Sequence, residues 1–287
     1  MKLLMKIAVS ALAMSPLLPV SALTFDVYNG DKDSFNVTST VIYGESEAMV
    51  VDTGFTKADA LRIAAKVYDS GKPLKTIFIS QADPDYYFGA EVLHQLFPNA
   101  KVVTTAAVKK TIEKKLNFKV GFWGPKMGAN APVKPYIPTA IQTNGLMLDG
   151  VEIEIRGTKG ILAHRPYLWI PSEKAIVGNV GIYGNVHVWM ADTQSQAIID
   201  AWSQQLADMK ALKPELVIPG HKTAETIQLN ESLITYTQNY IEDFEQAKSK
   251  AKTSQQLIDL MLQKYSGAAA PSSLSLGAKV HMGEMKW

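Results

Sequence analysis

Ser80-Gln81-Ala82-Asp83-Pro84-Asp85-Tyr86-Tyr87-Phe88-Gly89 lies between an apolar run, Thr76-Ile77-Phe78-Ile79, and a helically spaced segment, Ala90 to Phe97. The run reads as a buried strand. A polar turn leading from a buried strand into a helix places the chain among α/β folds, and it marks where those folds carry their chemistry. The pattern recurs nearby. Ala48 to Val51 is a short apolar strand ended by Asp52-Thr53-Gly54, and Thr56 can cap a helix from about Lys57 to Tyr68. Lys101 to Thr104 reads as a strand and Ala106 to Leu116 as a basic-faced helix.

Phe118 to Pro138 carries three Gly, four Pro and no periodicity, and reads as a long loop. Ala140 to Val177 is β-patterned, Gln196 to Leu212 is helical, and Glu215 to Ile218 is a strand ending in the turn Pro219-Gly220-His221. Ala224 to Ala251 and Gln255 to Tyr265 read as helices, with a loosely held tail of about 20 residues. Two β-rich blocks, each followed by helices, predict two sheets packed face to face with helices outside.

Residues 1–22 read as a secretory signal: Lys2 and Lys6, an apolar stretch from Ile7 to Val20 broken by two prolines, then Val20-Ser21-Ala22. The expectation is an exported protein, periplasmic or secreted, with a main domain at 23–223 and a helical extension at 224–287. No later apolar run is long enough to span a membrane. The absence of cysteine excludes thiolate ligands and nucleophiles. Without Lys2 and Lys6, 27 basic residues face 27 acidic ones, so charge gives no case for nucleic-acid binding.

Four segments together resemble the metallo-β-lactamase superfamily over roughly Phe25 to Thr223. Val50 to Gly54 resembles its Asp-Thr-Gly turn, and Ser80 to Gly89 its metal turn, T-H-x-H-x-D-H-x-x-G. Ile170 to Asn179 resembles the strand ending in Gly-Asp, and Ile218 to His221 the last ligand turn. The resemblance implies a four-layer αββα sandwich with a C-terminal helical extension. It also implies a metal site at Gln81, Asp83, Asp85, Tyr86, Asn179 and His221, with the middle histidine's place taken by Gly160 and His164 four residues beyond. Asp85 and His221 match the family's ligand types. The whole chain holds five histidines: His94, His164, His187, His221 and His281.

Three readings of this turn stay open. An oxygen-rich site of Gln81, Asp83, Asp85 and Asn179 with His221 would suit Mn, Fe(II), Mg or Ca better than Zn. It would activate a water for attack on a small ester, lactone or amide, with Asp83 or Asp85 as base. A metal-free acid–base set could instead use Asp83, Asp85, Tyr86 and His221. In the third, the turn is structural, with Asp83 as N-cap and Pro84 at N1, and the protein is a ligand-binding or scaffold protein. His187, His164, Tyr86 and Trp123 are candidate lining of a substrate pocket. The C-terminal helices could form a homodimer. A single Asp-Thr-Gly followed by a helix argues against aspartic-protease chemistry, and Ser249-Lys250-Ala251-Lys252 lacks its K-T-G partner.

Overall fold

The structure, a computed structural model, describes residues 22–287. The expected signal segment therefore lies outside the described residues, apart from Ala22.

The first sheet runs β1 (Thr24–Asn29), β2 (Thr38–Tyr43), β3 (Ala48–Val51), β4 (Leu74–Phe78), β5 (Lys101–Thr104) and β6 (Thr139–Ala140), in that spatial order. Its first three strands are antiparallel and the rest pair in parallel. The parallel connections carry α1 (Lys57–Asp69), the single turn α2 (Pro84–Tyr87), α3 (Ala90–Leu96) and α4 (Ala106–Met127). The second sheet has the order β12-β10-β9-β8-β7, from β7 (Gly145–Leu148), β8 (Val151–Arg156), β9 (Tyr167–Ile170), β10 (Ala175–Val177) and β12 (Leu216–Val217). A two-stranded pair joins β11 (Tyr183–Gly184) to β13 (His221–Lys222). The remaining helices are α5 (Gln196–Ala211), α6 (Ser232–Lys250), α7 (Ser254–Lys264) and α8 (Pro271–His281).

Strand periodicity produces the layers, because alternate side chains leave opposite faces. Met49, Val51 and Phe78 point inward and meet Ile153, Ile155, Leu168, Ile170 and Val177 of the second sheet. Val50 and Ile77 point outward onto Ala60, Ile63, Ala64 and Val67 of α1 and Leu93 of α3. Tyr167, Trp169 and Ile176 point the other way, onto Trp202 and Leu206 of α5 and Tyr240 and Phe244 of α6. This is the αββα sandwich expected from the sequence. A capping box fixes the start of α1: Thr56 accepts from the Asp59 N–H, and the Asp59 carboxylate accepts from the Thr56 N–H.

Three sequence expectations are corrected. The segment read as a loop from Phe118 is helical to Met127, because α4 continues past Leu116. Trp123 packs against Phe35 and Phe55, with ring centroids 5.4 and 5.2 Å away, and Lys119 reaches Asp83, so tertiary contacts hold a stretch whose glycines weaken helix propensity. Residues 224–231 precede the helix expected to start at Ala224, which begins at Ser232. The tail is not loose. Leu274 and Ala278 of α8 are buried in the same core as α6 and α7, and Val280 is buried too, so the apolar face of α8 is used within one chain. No described helix is long and apolar enough to cross a membrane.

Candidate functional site

The turns singled out in the sequence converge at the carboxyl ends of β3, β4, β10 and β12, where α/β sheets place ligands. Backbone contacts lock them together. The Thr53 N–H donates to the Tyr86 carbonyl and the Gly89 N–H to the Gly54 carbonyl, at 2.8 and 3.1 Å. Gly89 is required here, since a Cβ would lie 2.0 Å from the Thr53 oxygen. Gly220 is equally constrained, its Cβ position being 2.4 Å from the Asn179 oxygen and 2.6 Å from the Tyr86 hydroxyl. Beneath the turns, the buried Asp52 accepts from the Ser80 N–H and hydroxyl, both at 2.7 Å. Burial pushes its carboxyl up to about 7, against the pull of those two bonds.

His221 is the centre of the arrangement. Its Nδ1 is 2.9 Å from the Phe35 carbonyl, which can only accept, so Nδ1 carries the proton. Nε2 is then the acceptor for the Tyr86 hydroxyl at 3.0 Å. Tyr183 stacks on the imidazole and Tyr86 meets it edge-on. Burial takes His221 down to about 4, so the ring is neutral at pH 7. Asp85 Oδ2 lies 3.7 Å from Nε2. Burial, with the nearby Asp83 adding to it, pushes Asp85 up to about 8. The two are therefore an uncharged contact at neutral pH.

A catalytic metal needs about three converging donors with free lone pairs. Among the described residues no three His, Cys, Asp or Glu converge in that way. Each member of the oxygen-rich set is committed elsewhere or neutral. Gln81 Oε1 accepts from the Ala82 N–H, Asp83 faces Lys119 at 3.4 Å, and Asn179 Oδ1 accepts from the Gly181 N–H. Tyr86, fully buried, occupies the lone pair of His221. These residues do not fit a metal centre. The N-cap alternative also changes: Asp83 stands at the N-cap of α2, but its side chain makes no capping bond.

A polar cavity of about 120 Å³ opens over this turn, lined by Gln81, Ala82, Asp83, Thr111, Lys115, His164, Arg165 and Asp192. Of the expected pocket residues, His164 lines it. Tyr86 lies beneath, in the core. Trp123 belongs to an aromatic cluster with Phe35, Phe55 and Phe122 on α4. His187 is fully buried, with Nδ1 3.0 Å from the Tyr240 hydroxyl of α6 and Nε2 without a partner, and it does not line this cavity. Sequence reasoning missed Arg165 and Lys115. One signal was available: Arg165 is one of three arginines in a lysine-rich chain, and it adjoins the buried run Tyr167 to Ile170.

The family model of the metallo-β-lactamase superfamily matches residues 33–221. A metallo-beta-lactamase family protein from Thermus thermophilus superposes with a TM-score of 0.64 at 15% identity, covering 94% of this chain and 95% of that one. A beta-lactamase domain protein from Burkholderia ambifaria gives 0.63 at 11%, covering 93% and 85%. A metallo-beta-lactamase from Pontibacter korlensis gives 0.52 at 16%, covering 77% and 93%. No curated protein matches the sequence. The chain belongs to the metallo-β-lactamase superfamily, whose members typically use divalent metals.

Proposed function

We propose that this superfamily member binds a small molecule in the cavity over the Gln81–Asp83 turn and does so without a metal. The observation that carries this reading is the Tyr86–His221 hydrogen bond. It satisfies both imidazole nitrogens and fills, with a buried phenol, the centre where ligands would have to converge. Tyr86, His221 and the Phe35 carbonyl form a closed hydrogen-bonded chain under a polar cavity, with Asp85 3.7 Å from the imidazole, and that arrangement supports recognition better than water activation. The expected leader at residues 1–22 supports action outside the cytoplasm.

Family membership favours a second reading, a divergent metal-dependent hydrolase of a small ester, lactone or amide. A divalent ion, Mn, Fe or Zn, would draw on Gln81, Asp83, Asp85, Asn179 and His221, and Tyr86 would first have to leave His221. The two readings separate in one experiment. The protein is assayed against ester, lactone and amide panels with Mn, Fe or Zn added, alongside Asp85→Ala and His221→Ala. Turnover that both variants abolish establishes the hydrolase. No turnover, with a small ligand retained by the wild type, supports binding.

A further inference from the structure

Arg165 is a buried cation with no counter-ion among the described residues. It is 8% exposed, no described carboxylate lies within 4.0 Å of it, and its side chain has one hydrogen bond, from Nη1 to the Thr193 hydroxyl at 3.3 Å. The guanidinium lies 5.5 Å from the Trp202 ring, so one face is covered by an aromatic. A buried cation without a counter-ion is costly, and a guanidinium has five N–H donors to satisfy.

The surrounding charges sharpen the point. Lys115 lines the same cavity and has no ion-pair partner among the described residues. The two acids in the wall are already engaged. Asp83 faces Lys119, and Asp192 accepts the indole N–H groups of Trp189 and Trp287 at 2.8 and 2.6 Å. Gln81 has given its carbonyl to the Ala82 N–H, leaving its amide N–H₂ as donors. His164 is held below its usual value by burial and by the positive charge of Arg165 and Lys115, so it faces the cavity as a neutral ring. The wall is therefore rich in donors, and its two cations, Arg165 and Lys115, face only one carboxylate, Asp192, that has no cationic partner among the described residues.

We propose that this cavity binds a small organic carboxylate, with Arg165 as the bidentate anchor and Lys115 as the second cation. A planar carboxylate matches the guanidinium fork, and a volume of about 120 Å³ admits an acid of a few carbons. The proposal rests on reading this cleft as a ligand site, and its chemistry is independent of Tyr86 and His221.

Calorimetric titration of the full mature chain in low-chloride buffer, with acetate, lactate, inorganic phosphate and uncharged acetamide as probes, tests it. A carboxylate binds, acetamide does not, Arg165→Gln weakens binding at least about tenfold, and Lys115→Gln weakens it less and reduces the salt dependence. Arg165→Lys recovers part of the loss. Denaturation of each variant shows whether it is folded, and Lys115→Gln, at an exposed position, keeps the test valid if Arg165→Gln fails to fold. Preference for phosphate overturns the carboxylate assignment. Binding of acetamide that Arg165→Gln leaves unchanged overturns the anion site but spares the ligand-site reading. Failure of every carboxylate probe to bind overturns the proposal, and metal uptake beside that failure overturns the ligand-site reading as well.

Discussion

Tyr86→Phe is the most informative single change. It removes one oxygen and leaves the ring, so packing is preserved while the bond from the hydroxyl to His221 Nε2 disappears. Tyr86 is 1% exposed and His221 9%, so water has little access to the imidazole lone pair that is left. The lost bond costs about 1 kcal/mol, and stranding a buried acceptor costs about as much again, for a total of about 2 kcal/mol. In a protein of this size that corresponds to a fall in melting temperature of about 4–8 °C. Urea titration at pH 7.5, with the slope unchanged, measures the first quantity, and scanning calorimetry the second. If Tyr86→Phe matches the wild type within about 0.5 kcal/mol, the hydroxyl is not bonded to His221. The imidazole is then free to serve as a ligand, and the reasoning that seals this site fails.

Other outcomes follow from the same geometry. Asp85 has its pKa raised by burial, so folding binds a proton and stability falls as pH rises from about 4 to about 8; Asp85→Asn should remove a loss of about 1 kcal/mol between pH 7 and 8 in urea titrations. His221 is lowered instead, so its contribution is lost as pH falls from about 6.5 to about 4, and His221→Asn should remove that opposing limb. Gly220→Ala places a methyl 2.4 Å from a backbone oxygen and should cost about 3 kcal/mol or prevent folding, read by circular dichroism. Deleting residues 271–287 exposes the surface under Leu274 and Val280 and should cost about 4 kcal/mol, with aggregation seen by light scattering; a soluble, fully stable truncation would contradict the packing of α8.

The fold was legible because strand period and turn chemistry agree along the chain. Ala48 to Val51 and Tyr167 to Ile170 are continuous apolar runs that mark buried strands, while the layer that each of Met49, Val50, Leu168 and Trp169 faces came only with the fold. Thr56 and Asp59 announce α1 in the same way. The second half of α4 was not legible, because its order comes from Trp123 on Phe35 and Phe55 and from Lys119 on Asp83, contacts between residues 36 to 88 positions apart. The tail misled for a related reason: its small residues, Gly277 and Ala278, are what let α8 approach Met190 closely.

At the site, the sequence located the turns but not the state of their side chains. Whether Asp83 caps a helix, binds a metal or pairs with a lysine depends on Lys119, which lies in a segment that reads as a loop. That Tyr86 reaches across 135 positions to His221 is a three-dimensional fact with no local signature. Arg165 shows the limit most clearly, since what sets it apart is that no described carboxylate lies within 4.0 Å of it.

The measurement that bears most directly on the central claim is the metal content of the protein, made without a histidine tag, purified without chelator, and then titrated with Mn, Fe(II) and Zn. The account predicts no stoichiometric metal on isolation and no saturable uptake. About one equivalent of bound metal, lost in His221→Ala, would contradict it and restore a metal-dependent hydrolase as the function of this chain.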